Sequence, residues 1–209
     1  MPKAWVRERQ RDYYYRKSKE ENYRSRAAYK ILETVEKYRF IKSGNVVVDL
    51  GAAPGGWMQA ARKIVGDKGF VLGVDVRFIE PLGFPNVQAL TGNIADSQIM
   101  DSIRGLLPRR ADVVVSDVSP NISGVWELDH ARQMDLAQRS LLIATTIMKA
   151  GGNFFVKVFQ GDMLNSFVKE VKQHFGFVKL VKPRASRAKS AEIFVLGMRM
   201  KRASEQQGA

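Results

Sequence analysis

The amino-acid sequence predicts an α/β domain in which a mainly parallel, seven-stranded sheet is covered by helices on both faces. Three observations carry this prediction. Apolar segments of strand length alternate with helical segments from residue 45 onward, a glycine-rich turn follows the first apolar segment, and 209 residues are enough to bury a sizeable core. Parallel strands need long crossover connections, and the intervening helical segments provide them.

The individual elements follow from local periodicity. Ser25 is a candidate N-cap for a helix that runs to about Tyr38, in which apolar residues recur at helical spacing. Apolar runs predict strands over residues 45–50, 70–75, 86–90, 111–117, 152–159, 176–181 and 191–199. Helical segments between them cover Trp57–Val65, Ile99–Leu107, Leu136–Ala150 and Met163–His174. No repeat or linker divides the chain, so we expect one domain over residues 25–202 and a short disordered tail over 203–209.

Residues 1–24 form a basic extension in front of this domain, with Tyr13, Tyr14 and Tyr15 set among arginines and lysines. Cations bind phosphates and tyrosine rings stack on unpaired bases, so the extension is either a nucleic-acid-facing arm or a solvated terminus. The loop over residues 182–189 carries four cations and no acid, and the same two alternatives apply to it. The candidate nucleic-acid contacts are Arg7, Arg9, Arg11, Arg16, Lys17, Arg24, Arg26, Lys182, Arg184, Arg187 and Lys189.

The charge balance indicates the class of partner. A formal net charge of +13 and a pI near 10.1 favour a polyanion, with nucleic acid ahead of an acidic membrane. The absence of cysteine excludes disulfides and thiolate metal sites, and two histidines far apart in the sequence do not predict a metal centre. No apolar run approaches the ~18 residues of a membrane span, so we expect a cytoplasmic protein without metal or membrane contact.

The segment Asp49–Trp57 is the strongest indication of a ligand. It follows the β-branched run Val46–Val48 and opens into a helix, and its glycines let a ligand approach the backbone closely. Asp75 ends the next apolar run, where a carboxylate can accept both ribose hydroxyls of a nucleoside. The spacing is not the G-x-G-x-x-G of a dinucleotide site, so S-adenosylmethionine is favoured over NAD.

Four charged residues lie where chemistry is plausible. Asp117 ends the fourth apolar run, at the strand edge where α/β active sites are built, although a loop cap would explain it equally. Lys157 lies inside the apolar run Phe154–Phe159, where a lysine either pairs with an acid, points into a cleft or extends to the surface. Glu192 opens the last strand as a site residue or a solubilising edge charge, and Lys30 lies beside the apolar stripe of the first helix.

Five ordered motifs resemble those of one family. They are SRAAYK at residues 25–30, VDLGAAPGGW at 48–57, SDVSPNISG at 116–124, FVKVFQG at 155–161 and PRASRAKSAE at 183–192. From Tyr23 to Arg199 the chain resembles the FtsJ/RrmJ family of S-adenosylmethionine-dependent RNA 2′-O-ribose methyltransferases. The resemblance implies a single Rossmann-like class I methyltransferase domain. It also implies a catalytic Lys-Asp-Lys-Glu tetrad formed by Lys30, Asp117, Lys157 and Glu192.

The resemblance further implies where the cofactor binds. Asn93 occupies the position at which the family has an adenine-contacting carboxylate, and its amide oxygen can still accept a hydrogen bond from the adenine amino group. The expected contacts to S-adenosylmethionine are Asp49, Gly51, Pro54, Gly55, Gly56, Trp57, Asp75, Asn93, Ile94 and Asp117.

Methylation of a ribose hydroxyl requires proton removal and close alignment of the reacting atoms. We expect Lys157 to be the proton acceptor, with Lys30 holding the 2′-oxygen and Asp117 orienting Lys157. Glu192 would position a lysine or the ribose. A neighbouring cation lowers the pKa of a lysine and neighbouring carboxylates raise it, and the sequence leaves open which influence is larger.

The resemblance implies a uridine of large-subunit (23S-type) ribosomal RNA as the target, in free RNA or in the large subunit, and a monomeric enzyme. Relatives modify tRNA anticodon loops or mRNA caps, so methylation of tRNA remains an alternative. A catalytically silent RNA-binding scaffold is a second alternative, although a scaffold does not need two lysines and two acids in one cleft. A nicotinamide oxidoreductase is a third, and the missing G-x-G-x-x-G disfavours it. A base methyltransferase is disfavoured because the chain has no cysteine nucleophile and no Asn-Pro-Pro-Tyr-like motif.

Overall fold

The computed structural model describes residues 12–187 and 190–202, and within them it confirms the predicted α/β class. The strands are β1 (Val46–Leu50), β2 (Phe70–Asp75), β3 (Val87–Thr91), β4 (Ala111–Ser116), β5 (Met148–Phe159), β6 (Phe175–Val181) and β7 (Glu192–Met200). The helices are α1 (Tyr13–Glu20), α2 (Ala28–Tyr38), α3 (Gly56–Val65), α4 (Ile99–Leu106), α5 (Trp126–Ile147) and α6 (Leu164–His174). The strands form one sheet in the order β3-β2-β1-β4-β5-β7-β6, in which β7 runs antiparallel to both of its neighbours.

The two faces of the sheet bury separate apolar layers. β1 and β4 are buried at every position, as expected for central strands with helices on both sides. Side chains alternate along β1, so that Val46 and Val48 join the layer formed with α4, α5 and α6 while Val47 joins the layer formed with α2 and α3. The site at the carboxyl end of β1 is therefore held from both faces.

The prediction of a helix over Leu136–Ala150 is wrong at both ends. α5 begins at Trp126 and ends at Ile147, and the chain continues directly into β5, whose first residue Met148 pairs with Ala111. The first turn of α5 carries Glu127 and Asp129, which suit the positive end of a helix dipole. Their polarity leaves no apolar periodicity for a sequence pattern to detect.

The prediction that Ser25 caps the first helix of the domain is also wrong. α2 begins at Ala28, and Ala27 is its N-cap, without a capping side chain among the described residues. Ser25 instead packs against the start of α3, since a Cβ built on Gly56 would lie 2.2 Å from the Ser25 Oγ.

The described part of the N-terminal segment packs on the domain. In α1, Tyr14 Oη donates a hydrogen bond of 2.5 Å to Glu33 Oε1 on α2. Tyr23 is buried, with its ring centroid 5.6 Å from that of Tyr29. Arg7, Arg9, Arg11, Lys189 and the predicted tail over 203–209 lie outside the described residues. Of the helices that are described, none has the length and apolar character that crossing a membrane requires.

Candidate active site

The glycine-rich turn lies at the carboxyl edge of the sheet, where the strand order changes direction. β1 is flanked there by β2 on one side and β4 on the other, and ligands of α/β sheets bind at such a point. Gly51 has a φ of +76°, and a Cβ at this residue would lie 2.8 Å from the Cα of Val118. The absence of a side chain at Gly51 therefore lets the loop after β1 contact the loop after β4.

A cleft of about 720 Å³ opens beside this turn. Five of the predicted cofactor residues line it: Gly51, Asp75, Asn93, Ile94 and Asp117. Asp75 Oδ2 accepts a hydrogen bond of 2.9 Å from the Ala53 N–H, and Oδ1 accepts one of 2.8 Å from the Arg77 N–H. The Asp75 carboxylate is thereby fixed at the cleft wall, where the ribose of a nucleoside would need it.

The other five predicted cofactor residues lie around the turn rather than on the cleft wall: Asp49, Pro54, Gly55, Gly56 and Trp57. The side chain of Trp57 is buried, with its ring stacked 5.7 Å from that of Phe155 and its indole N–H donating to the Ala27 carbonyl at 2.7 Å. Trp57 thus supports the turn from the core, and the assignment of these residues to the cofactor stays a prediction.

Asp49 indicates the charge of the ligand that this turn would accept. The residue is buried, and within the described residues neither of its carboxylate oxygens has a hydrogen-bond partner. Burial raises the pKa of Asp49 well above its ordinary value, and the carboxylates of Asp117 and Asp75 raise it further. Among the described residues Asp49 has no cation partner, so a positively charged ligand suits this cluster of acids, and S-adenosylmethionine carries both a sulfonium and an ammonium group.

The structure brings the four predicted catalytic residues together. Lys30 Nζ lies 2.8 Å from each carboxylate oxygen of Glu192 and 3.6 Å from Asp117 Oδ2. Lys157 Nζ lies 3.1 Å from Asp117 Oδ1. α2, the end of β4, β5 and the start of β7 each contribute one member, and Asp117 is placed between the two lysines.

The electrostatics of this tetrad are balanced, with two cations facing two carboxylates. Burial alone would raise the pKa of Asp117, but Lys157 and Lys30 lower it by more, so the pKa lies below its ordinary value. Asp117 is consequently ionised at neutral pH and attracts both lysines. Glu192 is oriented from its other side by Ser186, whose Oγ donates to Glu192 Oε1 at 2.8 Å.

Two residues that orient Lys157 do not stand out in the sequence. Lys157 Nζ donates to the Asp117 carbonyl at 2.9 Å and also contacts Ser119 Oγ. Gln133 on α5 is fully buried, and its Nε2 donates to the carbonyls of Lys157 at 3.0 Å and Val118 at 3.2 Å. A glutamine at a core-facing position of α5 could have indicated this role. It was missed because the predicted helix starts at Leu136, after Gln133.

The predicted nucleic-acid contacts divide into two groups. Arg24 donates to the carbonyls of Pro54 and Pro81, and also to that of Glu80, so its guanidinium group holds the turn. Arg26 donates to the Ala185 carbonyl at 2.6 Å and pairs with Asp12. Lys17 lies 3.7 Å from Glu21. The remaining described members have exposed side chains: Arg16, Lys182, Arg184 and Arg187.

A second, smaller cleft of about 280 Å³ adjoins the tetrad. It is lined by Arg26, Lys30, Arg187 and Glu192, together with Ala27 and Ser190. Lys30 and Glu192 therefore face this cleft, whereas Asp117 and Lys157 face the larger one. Among the described residues no cluster of histidine, aspartate and glutamate could hold a metal ion.

The sheet has the strand order 3-2-1-4-5-7-6, and a nucleoside-sized cleft lies at its switch point beside a tetrad of two lysines and two acids. This combination defines a Rossmann-like methyltransferase. Residues 23–200 match the family described as FtsJ-like methyltransferase, and the chain belongs to that family. This confirms the resemblance that the five motifs predict. Members of the family use S-adenosylmethionine, and membership excludes the nicotinamide oxidoreductase.

Relatives in other organisms extend the comparison. The chain is 52% identical over 197 residues to ribosomal RNA large subunit methyltransferase E of Methanococcus maripaludis, covering 94% of this chain and 76% of the relative. It is 50% identical over 200 residues to the protein of that name in Methanocaldococcus jannaschii, covering 94% of this chain and 82% of the relative. A crystal structure from Plasmodium falciparum, described as a ribosomal RNA methyltransferase, has a TM-score of 0.75 at 26% identity and covers 85% of this chain and 98% of its own.

Proposed function

We propose that this methyltransferase transfers the methyl group of S-adenosylmethionine to the 2′-hydroxyl of a uridine in large-subunit ribosomal RNA. The observation that carries the proposal is the position of the tetrad between two clefts, with Asp117 and Lys157 on one and Lys30 and Glu192 on the other. A methyl donor in the larger cleft and a nucleotide in the smaller cleft would meet at the tetrad. Such placement provides the alignment that methyl transfer requires.

The tetrad can manage the proton that this reaction releases. When bound, S-adenosylmethionine supplies a methyl group on a positively charged sulfur. The 2′-hydroxyl is a poor acid, so its proton must leave as its oxygen forms the new bond to carbon. We assign proton acceptance to Lys157, whose Nζ faces the Asp117 carbonyl, the Asp117 carboxylate and Ser119 Oγ. To accept the hydroxyl proton, Lys157 must first release one of its own protons to solvent. The uncharged amine then donates to two of these three acceptors, and its lone pair takes the proton of the 2′-hydroxyl.

The other tetrad members act on position and charge. Lys30 is placed on the side of the smaller cleft, where its ammonium group would contact the 2′-oxygen as negative charge develops. Glu192 holds Lys30 through both carboxylate oxygens at 2.8 Å. Asp117 contacts both lysines and so holds their amine groups close to each other. These roles account for the presence of two lysines and two acids in one site.

Ribosomal RNA is supported as the substrate class by two kinds of observation. Relatives about half identical to this chain over most of its length are named as methyltransferases of large-subunit ribosomal RNA. The net charge of +13 suits a polyanion, and we propose that the exposed cations Arg16, Lys182, Arg184 and Arg187 contact its phosphates. We further propose that the enzyme acts as a monomer in the cytoplasm.

The proposal is tested by offering labelled S-adenosylmethionine with large ribosomal subunits, free large-subunit RNA and bulk tRNA in parallel. Label on either ribosomal substrate and not on tRNA is the expected result. Label on tRNA alone would keep the reaction and overturn the substrate. No label on any RNA, with the cofactor still bound, would overturn catalysis by this chain acting alone.

A further inference from the structure

One aromatic side chain at the active-site rim is exposed and has no part in the reaction described above. Trp126 begins α5, directly after the loop that carries Asp117 and Ser119, and 45% of its side chain is exposed. Large aromatic side chains are usually buried, because their apolar area is costly to leave in water. Trp126 is therefore accessible to a ligand or partner.

The ring of Trp126 is held in a fixed orientation. It stacks with the His130 ring at a centroid distance of 5.6 Å and with the Phe159 ring at 6.0 Å. His130 is buried and its Nε2 accepts a hydrogen bond of 3.4 Å from the Met163 N–H. Gly161 leaves the room that His130 occupies, since a Cβ there would lie 2.6 Å from the His130 Cε1.

The loop that precedes Trp126 is fixed as well. Asp129 Oδ1 accepts hydrogen bonds of 2.8 Å from both the N–H and the hydroxyl of Ser123, and its Oδ2 accepts one of 3.1 Å from the Gly124 N–H. A ring whose orientation is fixed by these contacts loses little conformational entropy when a planar ligand stacks on its exposed part.

Its location relates this ring to the tetrad. Phe159 pairs with Glu192 across β5 and β7, and it follows Lys157 by two residues, which is roughly 7 Å along a strand. Trp126, in contact with Phe159, thus lies at the same end of β5 as the two tetrad members. This is the end of β5 that a nucleotide strand approaches when its ribose lies at the tetrad.

We propose that Trp126 is a stacking platform for an unpaired base of the RNA substrate, next to the nucleotide that is methylated. The inference rests on the proposed function, because it needs RNA at the tetrad. Every base has a π-face, and stacking on an aromatic side chain positions a single strand without contacting its phosphates. The net charge of +13 favours RNA over an apolar protein segment as the occupant.

The test compares Trp126→Ala with Trp126→Phe and with Leu142→Ala, which removes an exposed apolar side chain elsewhere on the same helix. Affinity is measured for free large-subunit RNA, and methylation rates are measured against RNA concentration. We expect Trp126→Ala to raise the Kd and KM for RNA roughly 10-fold or more. Trp126→Phe should recover most of this loss, and Leu142→Ala should match the unaltered protein. The affinity for S-adenosylmethionine and the rate at saturating RNA should change little, and the salt dependence should not change.

The outcomes separate this inference from the proposed function. If the unaltered enzyme methylates ribosomal RNA and Trp126→Ala binds it equally well, the platform is overturned and the reaction stands. If Trp126→Ala impairs methylation of ribosomal subunits but not of free RNA, the rim binds a ribosomal protein and stacking is overturned. If Trp126→Ala loses as much affinity for the cofactor as for RNA, and Trp126→Phe loses as much as Trp126→Ala, then Trp126 only supports the fold. If the unaltered enzyme methylates no RNA, the proposed function is overturned, whatever the RNA affinity of Trp126→Ala.

Discussion

Lys157 lies in a buried strand of aromatic and β-branched neighbours, yet its amine contacts the carbonyl and carboxylate oxygens of Asp117 and the Ser119 hydroxyl. A sequence pattern could identify this anomaly, because a lysine in an apolar run needs a partner. The pattern could not identify the partner, because Ser119 and the Asp117 carbonyl follow β4, which is far from Lys157 in sequence and pairs with β5 only in the folded protein. The raised pKa of Asp49 was equally unpredictable from the sequence, because it depends on burial and on the two acids that the fold brings beside it.

Replacing Lys157 with alanine should remove the proton acceptor and leave the cofactor site intact. We expect the single-turnover methylation rate to fall by about 10²–10⁴-fold, the range for loss of a general base. The Kd for S-adenosylmethionine should change little. Lys169→Ala, which alters an exposed lysine on α6, is the control and should keep full activity. A Lys157→Ala rate close to that of the unaltered enzyme would end the assignment.

Asp49→Asn should stabilise the cofactor-free protein and weaken cofactor binding. Burial raises the pKa of Asp49 above its ordinary value of 3.8, so the folded protein keeps a proton that the unfolded chain releases. The stability provided by the protonated group is complete below that value and is lost as pH rises toward the folded pKa. Asparagine has no such proton, so the gain from Asp49→Asn should grow with pH from about 4 upward.

Chemical unfolding of both proteins from pH 4 to pH 8, without cofactor, measures this difference. In the same pair we expect the Kd for S-adenosylmethionine to rise roughly 10-fold or more, since a bound cation favours the ionised form of Asp49 and asparagine cannot ionise. A stability difference that is flat with pH would contradict the raised pKa of Asp49. An unchanged Kd would contradict its contact with the cofactor.

At the scale of elements, the central strands were predictable because they are apolar at nearly every position. β1 and β4 each match their predicted ranges to within one residue. α5 was not predictable in its first ten residues, where Asp129, His130 and Gln133 are buried by tertiary contacts instead of forming an apolar stripe. Two of these polar residues, Asp129 and Gln133, form hydrogen bonds to the loop after β4.

Gln133→Met tests whether α5 holds β5 and the loop after β4 in place. The variant keeps the volume of the side chain but leaves the carbonyls of Val118 and Lys157 without their donor. We expect a loss of about 1–3 kcal/mol in the free energy of unfolding and a several-fold lower kcat, with the cofactor Kd nearly unchanged. Gln138→Met, at an exposed position of the same helix, should be neutral. An unaltered kcat in the Gln133 variant would confine its role to stability.

At the scale of the whole molecule, the strong positive charge predicts how affinity depends on salt. The logarithm of the RNA association constant should fall linearly with the logarithm of salt concentration, because bound cations release counterions from RNA. Arg184→Ala and Arg187→Ala should each reduce the magnitude of that slope by about 1. Arg104→Ala, at an exposed arginine on α4, serves as the control. If the unaltered protein and the three variants all show the same slope, these two arginines are excluded as phosphate contacts.

The central claim is that the tetrad methylates a ribose oxygen of large-subunit RNA. Nucleoside mass spectrometry of large-subunit RNA, after incubation with S-adenosylmethionine and either the unaltered enzyme or Lys157→Ala, tests it most directly. We predict a new 2′-O-methyluridine with the unaltered enzyme and almost none with Lys157→Ala. A methyl group on a base, or equal product from both proteins, would contradict the account.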